Sequence, residues 1–271
     1  MKRRAGRQPS YVWNKQQFDN IDPRSTDTVL GLFEASHMAF ELTRDPGPGG
    51  EPSLAEMTVK AIQMLSRNER GFLLIVEAGR MDHAHHANNG RRALDEVLAL
   101  EDAVLAATQL APAADTLTLV TADHSHVFTL GGAPPRGNPV FGTDSSPDVN
   151  GIPYTTLLYG NGPGYVGERN RSSVRNTSGA DYRQEAAVPL KYETHGGEDV
   201  PVYAVGPWSH LFSGTFEQSY VAHAISFAAC IGPRKPLCMA RQKAERVVTN
   251  NAPRQDAALL LLAATLVSLS V

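Results

Sequence analysis

Residues 76–90 read VEAGRMDHAHHANNG, which puts two carboxylates and three imidazoles within ten positions. These side chains are Glu77, Asp82, His83, His85 and His86. Asp82 and His86 are four residues apart, so on a helix they lie on one face, as two ligands of one metal ion require. The stretch therefore predicts a metal site.

A second group of metal-binding residue types follows in the segment TADHSH, which contains Asp123, His124 and His126. A third ligand for the ion held by Asp82 and His86 must come from elsewhere, and His195 beside GGED is the best candidate. One Asp and two His with an open position are typical of a catalytic zinc site.

The remaining side chains of these groups have other predicted roles. Asp123 and His124 suit a second ion, and the hard oxygen ligand Glu77 suits magnesium. We expect His126 to orient a ligand from outside the coordination sphere, and His83 and His85 to be supporting or structural residues rather than ligands. An isolated histidine is usually an ordinary core or surface residue, which is our interpretation of the three others, His37, His210 and His223.

The elements that must position these residues form a strand–helix–strand pattern. An apolar run at residues 71–76 predicts a strand buried on both faces, and apolar spacing predicts a helix from about residue 91 to Leu110. Residues 116–121 predict a second strand. We expect the two strands to be adjacent in a parallel sheet, so that both groups of ligands meet at one edge.

The rest of the chain divides by composition. Residues 1–130 are predicted to form an α/β metal-binding part, and residues 131–192 a loop-rich insertion rich in Gly and Pro. Core-like sequence returns over 193–238, and residues 239–271 form a tail. With 42% hydrophobic and 20% charged residues in 271, a packed core is expected. The net charge of -3 gives no reason to expect nucleic acid as a partner.

The tail ends in the apolar stretch AALLLLAATLVSLSV, preceded by polar and small residues. This order is typical of a glycolipid (GPI) anchor signal, and a buried helix is the alternative. Two sequons, at Asn170 and Asn176, also indicate export. The basic N-terminus lacks the apolar region of a signal peptide. Cys230 and Cys238 are close enough in sequence for a disulfide, although two free thiols are the alternative.

Five segments together resemble the carboxy-terminal half of animal alkaline phosphatases: VEAGRMDHAHH, LVTADHSHVFTLGG, LLYGNGPGY, AVPLKYETHGGEDV and YVAHAISFAACIG. The segments ETHGGEDV and AACIG are most similar to the tissue-nonspecific type, and the resemblance runs from about Tyr11 to Cys238. It implies an α/β fold, part of a three-layer sandwich with a central, mostly parallel sheet. Residues 131–192 would form the crown insertion of a homodimer.

The resemblance also implies a set of ligands. The first zinc would be held by Asp82, His86 and His195, the second by Asp123 and His124, and magnesium by Glu77. The segment GLFEASHM resembles a calcium site, with Phe33 and Glu34 as ligands and Glu51 near the family's later calcium aspartate. Cys230 and Cys238 match a family disulfide.

The family acts on phosphate monoesters at the outer surface of the plasma membrane, held by a glycolipid anchor. Its nucleophilic serine, the aspartate shared by two metals and the phosphate-binding arginine have no match here, and Ser125 matches a non-catalytic position. We expect a truncated phosphoric monoester hydrolase that is weak or inactive alone. The alternatives are a non-catalytic metal-binding or dimerisation partner, and a related phosphodiesterase or sulfatase.

Overall fold

A computed structural model of the protein describes residues 9–170, 174–237, 239 and 258–263. The strands are β1 (Pro9–Val12), β2 (Thr28–Gly31), β3 (Leu73–Glu77), β4 (Thr116–Thr121), β5 (Ser125–His126), β6 (Phe128–Leu130), β7 (Leu157–Gly162), β8 (Ala186–Pro189), β9 (His195–Gly196), β10 (Tyr203–Val205) and β11 (Ala258–Ala263). The α-helices are α1 (Lys15–Asp19), α2 (Leu54–Leu65), α3 (Arg80–His86), α4 (Gly90–Leu110) and α5 (Tyr220–Ala228). The predicted helix ending at Leu110 and the predicted strand at 116–121 are confirmed as α4 and β4.

The central sheet has the strand order β10-β4-β11-β3. Strand β11 is parallel to both of its neighbours, and β10 runs antiparallel to β4. The prediction that β3 and β4 are adjacent is therefore wrong, because β11 from the carboxyl-terminal segment lies between them. The two strands still point the same way, so their carboxyl ends reach the same edge.

One face of this sheet is covered by α2 and α4. Because successive side chains of a strand point to opposite faces, every second residue contributes to this layer. Val76 of β3 and Val120 of β4 pack with Ile62 of α2 and Ala107 of α4. Helix α2 begins with a capping box in which Ser53 is the N-cap, which satisfies backbone N–H groups at its first turn.

The other face is covered over β4 and β10 but not over β3. Leu117 and Leu119 of β4 pack against α5 and the 3₁₀ helix Ser209–Phe212, which completes a helix–sheet–helix sandwich. On β3, Leu73 is 45% exposed and Ile75 is 63% exposed. The prediction that this strand is buried on both faces is wrong, because no described element packs over these two side chains.

The junction between α3 and α4 is fixed by Asn88, which is fully buried. Its backbone has a φ of 55°, a left-handed conformation that asparagine tolerates better than most residues. Its side chain donates to the carbonyl of Asn161 and accepts from the N–H of Gly164. This residue therefore joins the turn beyond the predicted metal ligands to strand β7.

Three smaller sheets lie around the centre, with strand orders β1-β2, β5-β9 and β6-β7-β8. Strand β6 pairs with β7, which belongs to the predicted loop-rich insertion, so a sheet crosses the predicted boundary at residue 130. The division into parts at 130, 192 and 238 stays a prediction.

The tail was expected to be an anchor signal or a buried helix. Its described part, Ala258–Ala263, is a strand, so the helix alternative is wrong for these residues. The remainder of residues 240–271 lies outside the described residues. Within the described part of the chain, no helix has the length and apolar character needed to span a bilayer.

Candidate metal centre

Helix α3 starts three residues after β3 ends, and it positions Asp82 and His86 one turn apart. The Nε2 atom of His86 lies 3.2 Å from Oδ1 of Asp82. Both side chains are partly buried and lie at the carboxyl end of the sheet, where ligands gather in α/β folds.

The segment after β4 brings further imidazoles to the same carboxylate oxygen. Asp82 Oδ1 lies 3.2 Å from Nε2 of His126 and 3.9 Å from Nε2 of His124. His195 arrives from β9, which pairs antiparallel with β5 so that His126 and His195 are direct partners. Its Nε2 lies 3.3 Å from Asp82 Oδ1, and its ring stacks on that of His124 with centroids 3.4 Å apart.

Four residues from three separate segments thus form one compact group of candidate ligands: Asp82, His124, His126 and His195. Their ligand atoms all lie within 4.8 Å of one another. A second group shares His126 and adds His86 and Glu193. Imidazole nitrogen and carboxylate oxygen are the donors that zinc prefers outside thiolate sites.

Glu193 decides which nitrogen of two imidazoles carries the proton. Its carboxylate Oε2 lies 2.6 Å from Nδ1 of His126, and its main-chain oxygen lies 2.6 Å from Nδ1 of His86. Since an ionised carboxylate and a carbonyl oxygen only accept hydrogen bonds, both Nδ1 atoms must donate. In the neutral imidazoles this leaves the lone pairs at Nε2, on the side of Asp82.

A divalent cation fits this arrangement. The Nε2 lone pairs of His86 and His126 each face Oδ1 of Asp82 at 3.2 Å, an unfavourable contact that a cation would turn into coordination. The Nε2 atom of His126 and Oδ1 of Asp82 are also buried without a hydrogen-bond partner among the described residues. Buried polar atoms without a partner are rare, and a metal ion is one of the established reasons for them.

Comparison with known proteins agrees with this chemistry. The family model described as alkaline phosphatase matches residues 2–231. The chain belongs to the alkaline phosphatase family. The tissue-nonspecific alkaline phosphatase isozyme of Gallus gallus is 49% identical over 238 residues, and that of Homo sapiens is 45% identical over 265. These alignments cover 86% and 96% of this chain but only 46% and 49% of the relatives. The chain therefore spans about half the length of the curated relatives it matches.

A solved alkaline phosphatase, the cold-active enzyme of the psychrophile Shewanella sp., superposes with a TM-score of 0.50 at 18% identity. The superposition covers 81% of this chain and 75% of that one. At this level of identity the likeness concerns the fold alone. It confirms the α/β fold of alkaline phosphatase type that the sequence resemblance implied.

Two residues predicted as ligands of the alkaline phosphatase metals lie at the margin of the cluster. Asp123 has a side chain that is 68% exposed, and its Oδ2 lies 3.4 Å from Nε2 of His124. Glu77 is the exposed last residue of β3, and neither group of candidate ligands among the described residues includes it. Their roles as ligands of the second zinc and of magnesium stay predictions.

The remaining histidines near the cluster have different surroundings. His85 is fully buried, stacks on His126 with centroids 4.6 Å apart, and shares a 2.8 Å hydrogen bond between Nδ1 and the Tyr159 hydroxyl. Burial holds the pKa of His85 well below its usual value, so the ring is neutral. His83 instead lies beside Arg80 and His37, with Nδ1 3.2 Å from the Arg80 guanidinium.

Sequence reasoning missed Glu193, the residue that orients two imidazoles at once. It lies two positions before the predicted ligand His195, in the segment YETHGG. A fully buried carboxylate beside a predicted ligand is a signal of such a role, but burial cannot be read from an isolated Glu in a polar segment.

The predicted calcium ligands lie on the amino-terminal side of α2. Glu51 is 4% exposed, and its carboxylate accepts the backbone N–H of Ala39 at 2.9 Å. Glu34 is exposed, and no hydrogen bond or ion pair among the described residues joins it to Glu51. The calcium site formed by Phe33, Glu34 and Glu51 stays a prediction.

The predicted modifications fall in two regions. Asn170 and Asn176 are both exposed, which is compatible with glycosylation. Cys230 is disulfide-bonded. Its predicted partner, Cys238, lies outside the described residues, so their pairing stays a prediction.

An open cleft of about 1100 Å³ adjoins the metal cluster. Its lining includes Asp123, His124, Glu198, Asp199 and Phe216.

Proposed function

We propose that this chain carries the zinc-binding part of an alkaline-phosphatase-type site for hydrolysis of phosphate monoesters. The observation that carries the proposal is the convergence of imidazoles from three segments on one buried oxygen of Asp82. Membership of the alkaline phosphatase family supports the substrate class.

The proposed assignment of ligands follows the family resemblance. Asp82, His86 and His195 would hold one zinc ion, and Asp123 with His124 would contribute to a second. Glu77 would serve magnesium, and Phe33, Glu34 and Glu51 would serve calcium. The 3.2 Å distance between His126 Nε2 and Asp82 Oδ1 supports an additional contribution of His126 to the zinc-binding group.

Zinc in such a site supplies Lewis acidity, which neutralises charge on phosphoryl oxygens and makes water a stronger acid. The chain's own residues hold the imidazole ligands in place and orient them. Glu193 keeps the protons of His86 and His126 on Nδ1, away from the cluster. The antiparallel pairing of β5 with β9 fixes the position of His195 relative to His126.

We further propose that the 271-residue chain alone hydrolyses phosphate monoesters weakly or not at all. The support is that the family's nucleophilic serine has no match in the sequence, and that Ser125 is fully buried. The same proposal includes homodimer formation and glycosylation at Asn170 and Asn176. It also includes attachment to the outer leaflet of the plasma membrane by a glycolipid anchor.

Metal content and activity of the purified chain test the two parts separately. We expect bound zinc by elemental analysis, reduced by His195→Ala and unchanged by His223→Ala, an exposed histidine on α5. Zinc content that is equal in both variants and in the unaltered chain would overturn the metal assignment. Strong zinc-dependent hydrolysis of an aryl phosphate would overturn the proposal of weak activity, and preference for a diester or a sulfate would overturn the substrate class.

A second candidate function is that of a non-catalytic partner, supported by a group of candidate metal ligands in a sequence where the resemblance finds no match for the family's nucleophilic serine. Such a chain would bind metal or another subunit without turnover. Co-purification of the tagged chain with a full-length alkaline phosphatase subunit would support it, and a strictly monomeric chain in the presence of that subunit would contradict it.

A further inference from the structure

Strand β7, in the predicted loop-rich insertion, is joined to the metal cluster by one side chain. The hydroxyl of Tyr159 lies 2.8 Å from Nδ1 of His85, and the ring of His85 lies against that of His126. We infer that Tyr159 and His85 are a pair of positioning residues, which hold the imidazole of His126 in the plane that directs its Nε2 at Asp82. This inference rests on the proposed function, because it assumes that the cluster binds zinc.

Both side chains of the pair are buried among aromatic rings. Tyr159 is the direct cross-strand partner of Phe128, and the ring centroids of these two residues are 4.9 Å apart. The ring of Phe128 also lies 5.1 Å from that of His85. Because protein interiors are closely packed, these contacts leave the His85 ring little room to move.

The ring of His85 contacts His126 differently from the other imidazoles nearby. The rings of His85 and His126 are stacked, with centroids 4.6 Å apart and an angle of 28° between their planes. The other imidazoles that contact His126, within the described part of the chain, meet it at angles of 72°, 79° and 81°. The ring of His85 is therefore the one that lies along the face of His126.

The direction of a ligand nitrogen depends on the orientation of its whole ring. The hydrogen bond between Nδ1 of His126 and Glu193 fixes one edge of the ring but allows it to tilt about that bond. A second ring stacked on its face limits the tilt. Since the lone pair of Nε2 lies in the ring plane, the two contacts together determine where this lone pair points. Partners outside the coordination sphere orient metal ligands in this way.

The number of satisfied polar groups indicates which atom donates in the bond between Tyr159 and His85. Nε2 of His85 is buried without a hydrogen-bond partner among the described residues. If the hydroxyl donates to Nδ1, one side-chain group of the pair is left without a partner, the N–H at Nε2. If Nδ1 donates instead, both Nε2 and the hydroxyl hydrogen are left without one. Because buried polar groups without partners are costly, we expect the hydroxyl to donate.

The two stacked rings should therefore carry their protons on different nitrogens. We expect N–H at Nε2 in His85, whereas Glu193 keeps the proton of His126 at Nδ1. Nitrogen-15 NMR of the imidazoles in the metal-free chain distinguishes these forms. Any other form of His85, including a mixture of the two, would overturn the inference. Since this measurement needs no metal, it tests the pair even if the proposed zinc binding fails.

Removal of the Tyr159 hydroxyl tests the effect on zinc. Tyr159→Phe keeps the aromatic ring but loses the bond to His85. We expect it to weaken zinc binding about 2- to 10-fold, the range for one neutral hydrogen bond, in competition with a chelator. The matched control is Tyr220→Phe, which loses a 3.1 Å hydrogen bond to the carbonyl of Leu211 and should leave zinc affinity unchanged. Equal affinities of the two variants, with His195→Ala still weaker, would overturn the inference and leave the proposed function intact.

A double variant shows whether the hydroxyl acts through His85. His85→Phe keeps a ring but removes the acceptor, and combining it with Tyr159→Phe makes both partners apolar. Replacing both partners of a buried hydrogen bond in this way is nearly neutral for stability. We therefore expect the double variant to be more stable than His85→Phe in urea unfolding, but to bind zinc as weakly as either single variant.

Two results of this cycle would contradict the role of the pair. Additive losses of zinc affinity would show that the Tyr159 hydroxyl does not act through His85. Zinc affinity that recovers together with stability in the double variant would show that the pair only fills the interior. Either result would overturn the inference.

Discussion

Glu193 and His126 form a fully buried pair in which Oε2 of the carboxylate lies 2.6 Å from Nδ1 of the imidazole. The other carboxylate oxygen accepts the backbone N–H of Val127 at 2.7 Å. The carboxylate is thus held at both oxygens, and the imidazole in turn is held with Nε2 directed at Asp82. A carboxylate–histidine pair of this kind fixes ligand orientation and raises ligand basicity in metal sites.

We predict that Glu193→Gln weakens zinc binding by about 10- to 100-fold, the usual effect of losing such a partner. The amide can donate to Nδ1, which would move the imidazole proton to Nε2, facing the cluster. Isothermal titration with zinc, or competition with a chelator, measures the change. Glu101→Gln, on the exposed face of α4, is the matched control and should bind zinc as the unaltered chain does. Equal affinities of the two variants would contradict the role of Glu193.

Glu96 gives a prediction on pH. It is buried on α4, and its Oε1 accepts the backbone N–H of Glu41 at 2.7 Å. Burial raises the pKa of this carboxyl above its ordinary value, with smaller contributions from the neighbouring Glu41 and Asp95 carboxylates. The folded state therefore retains its proton at a pH where the unfolded chain has lost it, and stability falls as the pH rises through this window.

We expect Glu96→Gln to stabilise the protein at neutral pH, because the amide oxygen still accepts from Glu41 and no charge is buried. Each unit by which the pKa is raised corresponds to about 1.4 kcal/mol. The difference should vanish below the ordinary Glu pKa of about 4.3, where the carboxyl is protonated in both states. Urea unfolding at pH 4 and at pH 7.5 measures it. A variant that is less stable than the unaltered chain at pH 7.5 would contradict the prediction.

Leu119 tests the layer formed by α5. It is fully buried in β4 and packs with Phe212 and Ile225. We expect Leu119→Ala to lower the free energy of unfolding by about 2–5 kcal/mol, the range for such truncations in a packed core. Leu98→Ala on α4, where the leucine is 57% exposed, should cost much less. Similar losses in both variants, measured by denaturant unfolding, would show that α5 does not cover β4.

Asn88 allows backbone and side-chain effects to be separated. Asn88→Ala loses the bonds to Asn161 and Gly164 and also places alanine at a φ of 55°. Asn88→Gly loses the same bonds but tolerates that φ. We expect both variants to be destabilised, with alanine the worse by about 1 kcal/mol. Thermal unfolding compares them, and a glycine variant as stable as the unaltered chain would show that the side-chain bonds contribute nothing.

Local patterns in the sequence predicted α4 and β4 well, because both depend on neighbouring residues. The spacing of Asp82 and His86 also gave their position on one turn of helix. The order of the sheet could not be predicted in this way. No pattern in the sequence near Leu73 or Thr116 indicates that residues 258–263 pair with both strands. The exposure of Ile75 likewise depends on which distant elements cover its face of the sheet.

The same limit applies to Glu193. Its contact with His126 joins residues 67 positions apart, and the sequence offers only its nearness to His195. The resemblance to alkaline phosphatases identified the ligands by their motifs. It did not identify the carboxylate that orients them, since a motif names residues but not the hydrogen bonds between them.

The two-residue ladder between β5 and β9 has a consequence for how the chain can change length. His126 and His195 are paired across this ladder, so the segment that connects them begins and ends at the ladder. Residues added or removed far from the ladder change only the length of this connecting segment. A single residue added between Glu193 and His195 would turn the imidazole to the opposite side of the strand. Insertions and deletions are therefore tolerated in the part of the connecting segment far from the ladder, but not in the residues next to the ladder.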